Sequence, residues 1–144
     1  MMPSSINWSS RRRNEGREQV KFRHVVLVVE DELVIAEIAA EVLEEAGFAV
    51  LIAASAEEAE VILEQNRVEV LLTDINLGGM DGITLAGRAR LRQPNLAVVF
   101  ASGRSRKLHG DPDMKEAAFL TKPYRFNDML NAVEQAVTSS KTTQ

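Results

Sequence analysis

Acidic residues end two of the apolar runs in this chain. The run Val68 to Thr73 ends in Asp74, and the run Val25 to Val29 ends in the triplet Glu-Asp-Glu at 30–32. Carboxylates brought together repel one another unless a cation lies among them, and ligation by oxygen alone favours Mg²⁺, Mn²⁺ or Ca²⁺ over zinc. The spacing therefore predicts an acidic, metal-holding pocket with Asp74 at its centre.

Two alternating patterns along residues 24–138 indicate how these acids are positioned. Buried strands are predicted at about 24–29, 48–52, 68–73, 96–101 and 117–120, and helices at about 33–46, 55–65, 82–92 and 126–138. Strands that alternate with helices predict an α/β fold, a five-stranded parallel sheet with helices on both faces. Such folds bind ligands at the carboxyl ends of their strands, where both acidic segments would lie.

Local signals define the helices. In the first helix, Leu33, Ile38, Val42 and Ala46 are expected on the core-facing side, with Gly47 as the stop. Other signals are a capping box at Ser55 and Glu58, a helix start at Asp81-Gly82, and a last helix with Phe126, Met129, Leu130, Val133 and Val137 on one face. Residues 104–116 contain Gly110 and Pro112 and lack an apolar stripe, so the fourth helix should be short, irregular or mobile.

Composition narrows the class of protein. With 144 residues there is room for one domain with a proper core. The chain has no cysteine, which excludes disulfides, thiolate metal sites and cysteine nucleophiles, and suits a cytoplasmic protein. No apolar run reaches the length of about 18 residues that a membrane span requires, and the amino terminus lacks a secretory segment.

The amino-terminal arm, residues 1–23, is basic although the net charge of the chain is −4. Its charged residues are Arg11, Arg12, Arg13, Arg17, Lys21 and Arg23 against Glu15 and Glu18. We expect a solvated, disordered arm, or a start site placed too far upstream. The alternative is an arm that contacts nucleic acid, membrane or the domain's own acidic face, but the lone Trp8 gives little support for nucleic-acid binding.

The motifs, taken together, resemble the receiver domain of two-component response regulators. They are Glu30-Asp31 after strand one, Asp74 after strand three, Ser102 after strand four and Lys122-Pro123 after strand five. The resemblance covers about 24–138 and implies the flavodoxin-like, doubly wound fold, with 139–144 as a C-terminal tail. Because no output domain follows residue 144, a single-domain regulator is expected.

The resemblance also implies a role for each residue. Asp74 corresponds to the phosphoacceptor that attacks the phosphorus of a phosphohistidine. Asp31, Asp74 and the backbone carbonyl of Asn76 correspond to Mg²⁺ ligands, and Glu30 to an acid that acts through a metal-bound water. Lys122 and Ser102 would each contact a phosphoryl oxygen. Positioning and charge stabilisation of this kind are what phosphoryl transfer requires.

A switch is also implied by the resemblance. Phe119 corresponds to the family's switch aromatic, which turns inward when Ser102 is drawn to the phosphoryl group; plain core packing is the alternative reading. Gly103 stands where the family prefers a small residue and would leave the pocket open. The Lys122-Pro123 bond is implied to be cis.

The chain departs from the family pattern in its loops. Gly78 stands where many receivers have proline, which leaves the stiffness of that loop in question. Arg104, two residues past Ser102, could together with Asn76 tune the lifetime of the phosphoaspartate. Residues 104–116 are expected to be loosely ordered without phosphate and to tighten with it, which amide exchange would test.

The expected function is signalling, with a histidine kinase or histidine phosphotransfer protein as phosphodonor and a further protein as target, or service as a phosphate sink. The chain is expected to catalyse only its own phosphorylation and dephosphorylation. It is expected to be a monomer or weak homodimer and to bind no nucleic acid. One alternative is a pseudo-receiver that binds partners without phosphorylation. Another, a metal-dependent phosphohydrolase, is disfavoured because Asn76 stands where a second acid would be needed.

Overall fold

The computed structural model describes residues 23–103 and 117–142, and within residues 23–103 strands and helices alternate. The elements are β1 (Val25–Val29), α1 (Leu33–Glu45), β2 (Ala49–Ala53), α2 (Ala56–Gln65), β3 (Val70–Asp74), α3 (Gly82–Arg92), β4 (Ala97–Ser102), β5 (Ala118–Thr121) and α4 (Phe126–Thr142). Each predicted element within the described residues is present, with ends shifted by up to four residues.

The five strands form one sheet in the order β2-β1-β3-β4-β5, and every pair is parallel. This confirms the predicted doubly wound α/β fold. β1 and β3 are neighbours, and their register pairs Val29 with Thr73. The residues that follow these two positions, Glu30 and Asp74, therefore emerge side by side at the carboxyl edge of the sheet.

Two separate cores cover the two faces of the sheet. On one face α2 and α3 pack over strand residues such as Leu27, Leu71 and Phe100. On the other face α1 and α4 pack over the neighbouring residues of the same strands, such as Val28 and Leu72. Because successive side chains of a strand point to opposite faces, each buried strand supplies both cores, which is why these strands are apolar up to their carboxyl ends.

The side of α1 that faces the core differs from the prediction. The buried residues are Ala36, Ala39, Ala40, Leu43 and Glu44. Leu33 is 62% exposed and Ile38 40% exposed, so the predicted stripe was wrong at these positions. The buried set has the i, i+3, i+4, i+7 spacing of a helix face, and its small alanines let α1 lie close to the sheet.

The ends of the other helices follow the predicted chemistry. Ser55 Oγ accepts a hydrogen bond from Glu58 N (3.1 Å), and the Glu58 carboxylate accepts one from Ala54 N (2.8 Å). At the start of α3, the Asp81 carboxylate accepts from Thr84 N (2.8 Å). The bonds from Glu58 N and Thr84 N satisfy amide donors that a helix leaves unpaired at its first turn, and the bond from Ala54 N holds the residue before the Ser55 cap.

The last helix is longer than predicted. α4 continues to Thr142, so residues 139–142, which the sequence analysis assigned to a tail, are helical. No glycine or proline stands between Thr138 and Thr142 to end the helix earlier. The basic arm up to residue 22 and the segment 104–116, with the helix expected there and Arg104, lie outside the described residues.

Candidate functional site

Strand alternation places three charged side chains at one edge of the sheet. Each of them lies two positions after a strand residue whose side chain faces α1 and α4, so it points to the same face of the sheet. The pairs are Val28 and Glu30, Leu72 and Asp74, and Leu120 and Lys122. β1 and β3 are adjacent, and β5 lies two strands from β3. The long lysine side chain spans that distance, so residues far apart in sequence meet.

Three carboxylates form a candidate metal centre. One oxygen from each of Glu30, Asp31 and Asp74 lies within 4.8 Å of the other two. Glu30 and Asp74 are buried, with 6% and 7% exposed, whereas Asp31 is exposed to solvent. An all-oxygen donor set with one open side fits a hard divalent cation such as Mg²⁺, which retains several of its waters.

Lys122 joins this cluster from β5. Its Nζ donates a hydrogen bond to Asp74 Oδ2 (2.8 Å) and lies 3.9 Å from Glu30 Oε1. Burial lowers the pKa of Lys122, but the hydrogen bond and charge of Asp74 outweigh it, so the pKa is raised and the ammonium is retained. The lysine therefore supplies a fixed positive charge beside the Asp74 carboxylate. The Lys122-Pro123 peptide bond is cis, as the resemblance implied.

Glu30 is held by the backbone as well as by charge. Its Oε2 accepts a hydrogen bond from Glu32 N (3.1 Å), which orients the carboxylate toward Asp74. Burial raises the pKa of Glu30, and the Glu32 amide and Lys122 lower it by less. A buried carboxylate whose pKa is raised by burial is a group that a bound cation would stabilise.

Asp74 is not a helix cap. Glu32 is the N-cap residue of α1 but makes no side-chain cap hydrogen bond, while Asp81, not Asp74, caps α3. Asp74 lies instead at the end of β3, bonded to Lys122. Asp74 therefore does not act as a helix cap.

Ser102 and Phe119 lie on the neighbouring part of the edge. Ser102 is buried at the end of β4, one residue past Ala101, the register partner of Asp74. Lys122 N donates to the Ser102 carbonyl (3.0 Å), which ties the ends of β4 and β5 together. Phe119 of β5 is half-buried and stacks on Phe100 of β4, with ring centroids 5.6 Å apart.

Asn76 and Gly103 complete the predicted set. Asn76 is exposed on the loop that follows Asp74, and its carbonyl stays a predicted ligand. A Cβ built on Gly103 would meet no described atom within 4 Å, so nothing in residues 23–103 or 117–142 crowds that position.

Sequence reasoning missed one side chain of the site, Tyr124. With Glu30, Thr73 and Asp74 it lines a small cavity between the sheet and α1. Burial raises the pKa of Tyr124, and the negative charge of Glu30 raises it further. Its position two residues after Lys122 was the available signal. A second cavity, of about 550 Å³, lies at the opposite edge around Asn66 and Gln93 and contains none of these residues.

Comparison with known proteins identifies the class to which this fold and acidic edge belong. The family model described as "Response regulator receiver domain" matches residues 26–134. This chain belongs to that family, whose members are signalling modules of two-component systems and bind Mg²⁺ at an acidic pocket.

Individual relatives support the assignment. The response regulator receiver protein CpdR of Brucella abortus is 33% identical over 112 residues, which is 76% of this chain and 93% of CpdR. The aerobic respiration control protein ArcA of Escherichia coli is also 33% identical, over 69% of this chain but 42% of ArcA. A receiver domain protein of Methanospirillum hungatei shares the fold, with a TM-score of 0.77 at 24% identity over 85% of this chain and all of that one.

None of the helices within 23–103 and 117–142 has the length and apolarity needed to cross a bilayer.

Proposed function

We propose that this chain is a single-domain response regulator that accepts a phosphoryl group on Asp74 from a histidine kinase or a histidine phosphotransfer protein. The observation that carries the proposal is the contact of Lys122 Nζ with Asp74 Oδ2 inside the three-carboxylate cluster. The near-complete coverage of CpdR supports the single-domain assignment. The protein would function in the cytoplasm. It would either signal through a partner protein or serve as a phosphate sink.

Asp74 would be the nucleophile. One carboxylate oxygen forms a bond to phosphorus while the bond between phosphorus and the donor's imidazole nitrogen breaks, and the imidazole leaves with that electron pair. This role is supported by the location of Asp74 at the end of β3, where Ile75 N donates to the Ala101 carbonyl (3.0 Å) and would limit movement of the attacking carboxylate. Little else than positioning and charge stabilisation is needed for this step.

Mg²⁺ would be held by Asp31, Asp74 and the Asn76 carbonyl, with Glu30 acting through a water; Mn²⁺ or Ca²⁺ would suit the same oxygens. When bound, the cation supplies positive charge that lets an anionic carboxylate approach an anionic phosphoryl group. Lys122 would then leave its contact with Asp74 for a phosphoryl oxygen, and the Ser102 hydroxyl would donate to another.

The signal would pass from Ser102 to Phe119. Movement of Ser102 toward the phosphoryl group would shift the end of β4. Phe119 of β5 is paired in register with Phe100 of β4, so it would sense that shift. The stacked rings can respond by rotation of Phe119 into the space vacated. A partner that recognises the β4–β5 edge would then distinguish the two states.

The test is intact mass after incubation with acetyl phosphate and Mg²⁺. Wild type is expected to gain about 80 Da, one phosphoryl group. Asp74→Asn should gain nothing, and the control Asp128→Asn, a substitution of an exposed acid on α4, should behave as wild type. No gain by wild type in the presence of metal would reject the proposal and favour the pseudo-receiver, which binds partners without phosphorylation.

A further inference from the structure

The backbone of the phosphoacceptor lies directly against the first residue of α3. Gly82 is buried, and its N–H donates to the Ile75 carbonyl (2.8 Å). A Cβ built on Gly82 would lie 2.3 Å from the Asp74 carbonyl oxygen and 3.0 Å from Ile75 Cα. Real Cβ atoms essentially never approach another heavy atom within 3.0 Å, so a side chain at 82 would displace one backbone from the other by about 0.7 Å.

The Asp74 backbone has little freedom to move away from such a side chain. Asp74 is paired in register with Ala101 of β4, and Ile75 N donates to the Ala101 carbonyl (3.0 Å). The Thr73 hydroxyl donates to the same Asp74 carbonyl that the added Cβ would strike (2.9 Å). A displacement would therefore rotate or shift the peptide that carries the Asp74 side chain.

The contrast with another glycine of the same helix shows that this contact is particular to position 82. A Cβ on Gly87 would meet nothing within 4 Å. The residue before Gly82, Asp81, already provides the helix cap through Thr84 N. Capping therefore explains Asp81 but not Gly82. A glycine at position 82 leaves room for the backbone at the end of β3.

We propose that Gly82 is a positioning residue of the phosphoryl site: its missing side chain lets α3 rest on the Asp74 peptide and so sets where the Asp74 carboxylate stands relative to Glu30, Asp31 and Lys122. This inference rests on the proposed role of Asp74 as phosphoacceptor. A misplacement of about 1 Å from outside the reacting groups can lower a rate by about 10²-fold. The displacement forced at Gly82 approaches that size.

The experiment compares Gly82→Ala with two controls. Gly87→Ala makes the same substitution in the same helix where there is space, and Leu63→Ala removes core packing in α2, whose end lies at the opposite edge of the sheet. For each protein we would measure urea unfolding, the Mg²⁺ dissociation constant by calorimetry, the rate of Asp74 phosphorylation by acetyl phosphate at saturating Mg²⁺, and the ¹⁵N-detected Ile75 amide signal without metal.

Gly82→Ala is expected to raise the Mg²⁺ dissociation constant about tenfold, to slow phosphorylation at saturating Mg²⁺ by about 10- to 100-fold, and to move the Ile75 amide signal. Gly87→Ala and Leu63→Ala should leave all three readouts within about twofold of wild type, although Leu63→Ala loses stability. Equal losses in Gly82→Ala and Leu63→Ala would assign Gly82 a merely structural role and overturn the proposal, as would unchanged readouts in Gly82→Ala.

Two further outcomes are separable. If wild type takes up no phosphoryl group, the proposed function fails, while the Mg²⁺ affinity and the Ile75 amide still decide the role of Gly82. If Gly82→Ala does not fold, the double variant with Gly87→Ala is measured, because alanine favours the helix over glycine. A double variant that also fails to fold would overturn the positioning role.

Discussion

Lys122 and Asp74 are 48 positions apart in the chain, and the lysine Nζ lies 2.8 Å from the aspartate Oδ2. Lys122 enters from β5 and Asp74 from β3, with β4 between them. The lysine occupies the side of the carboxylate from which a phosphoryl oxygen would be stabilised. Without phosphate, Lys122 pairs with the buried Asp74 carboxylate. With phosphate, the same lysine would pair with a phosphoryl oxygen.

Removal of the Lys122 side chain should slow phosphorylation without weakening Mg²⁺ binding. Lys122→Ala is expected to slow phosphorylation of Asp74 by acetyl phosphate about 10²- to 10³-fold, because a preorganised charge beside the reacting group is lost. The Mg²⁺ dissociation constant should stay the same or fall, because a competing cation has left Asp74. Rates by intact mass and affinity by calorimetry provide the two measurements.

The matched control for that variant is Arg92→Ala, which removes an exposed ion pair with Glu64 at the other edge of the sheet. Exposed pairs contribute about 0–1 kcal/mol, so neither readout should change. A Lys122→Ala protein that is phosphorylated at the wild-type rate would contradict the role assigned to the lysine.

The coupling of Ser102 to Phe119 can be measured by NMR. In wild type, a phosphoryl mimic such as beryllofluoride with Mg²⁺ should shift the Phe119 ring signals, because the ring leaves its present stacking on Phe100. Ser102→Ala should bind the mimic more weakly and show little Phe119 shift, since the hydroxyl that draws in β4 is absent. Ser102→Thr keeps a hydroxyl and is the control. An undiminished Phe119 shift in Ser102→Ala would exclude Ser102 as the link.

The loop at Gly78 should reject the proline that many receivers carry there. Gly78 has φ of +77°, and Gly79 N donates to the Leu77 carbonyl (2.7 Å), which closes a γ-turn. Proline is restricted to φ of about −65°, so Gly78→Pro should lose about 1–3 kcal/mol of unfolding free energy in urea. Gly78→Asn, whose side chain tolerates positive φ, should lose less. A proline variant as stable as wild type would show that the loop accepts the family's conformation.

The single tyrosine of the chain allows a clean pH test. Burial, and then the charge of Glu30, raise the pKa of Tyr124 above its ordinary value of 10.0. The fold therefore favours the protonated phenol; that stabilisation is complete below about pH 10 and is lost as the pH rises through the folded-state pKa. Absorbance at 295 nm should show a midpoint above that of urea-unfolded protein, and Glu30→Gln should lower the midpoint. Identical midpoints in folded and unfolded protein would contradict the half-buried position of the phenol.

The sequence by itself determined the fold class and the position of the acidic residues at one edge of the sheet. Continuous apolar strands alternating with helices can bury both faces of a strand only in a parallel, doubly covered sheet, and the carboxyl ends of such strands are brought to one edge. Glu30 and Asp74 could therefore be grouped before any coordinates, whereas Lys122 was added by the resemblance to receiver domains. The described structure brings the three side chains together.

Tertiary structure decided what depends on packing between elements distant in sequence. The face of α1 was misjudged because large apolar residues such as Leu33 were given more weight than the alanines, and only the closeness of helix and sheet shows that small residues fit there. The position of the half-buried Tyr124 and the closeness of Gly82 to the Asp74 carbonyl likewise follow from distances between separate elements. Periodicity reports which residues share a face, whereas the separation between two faces is fixed only when the whole core is packed.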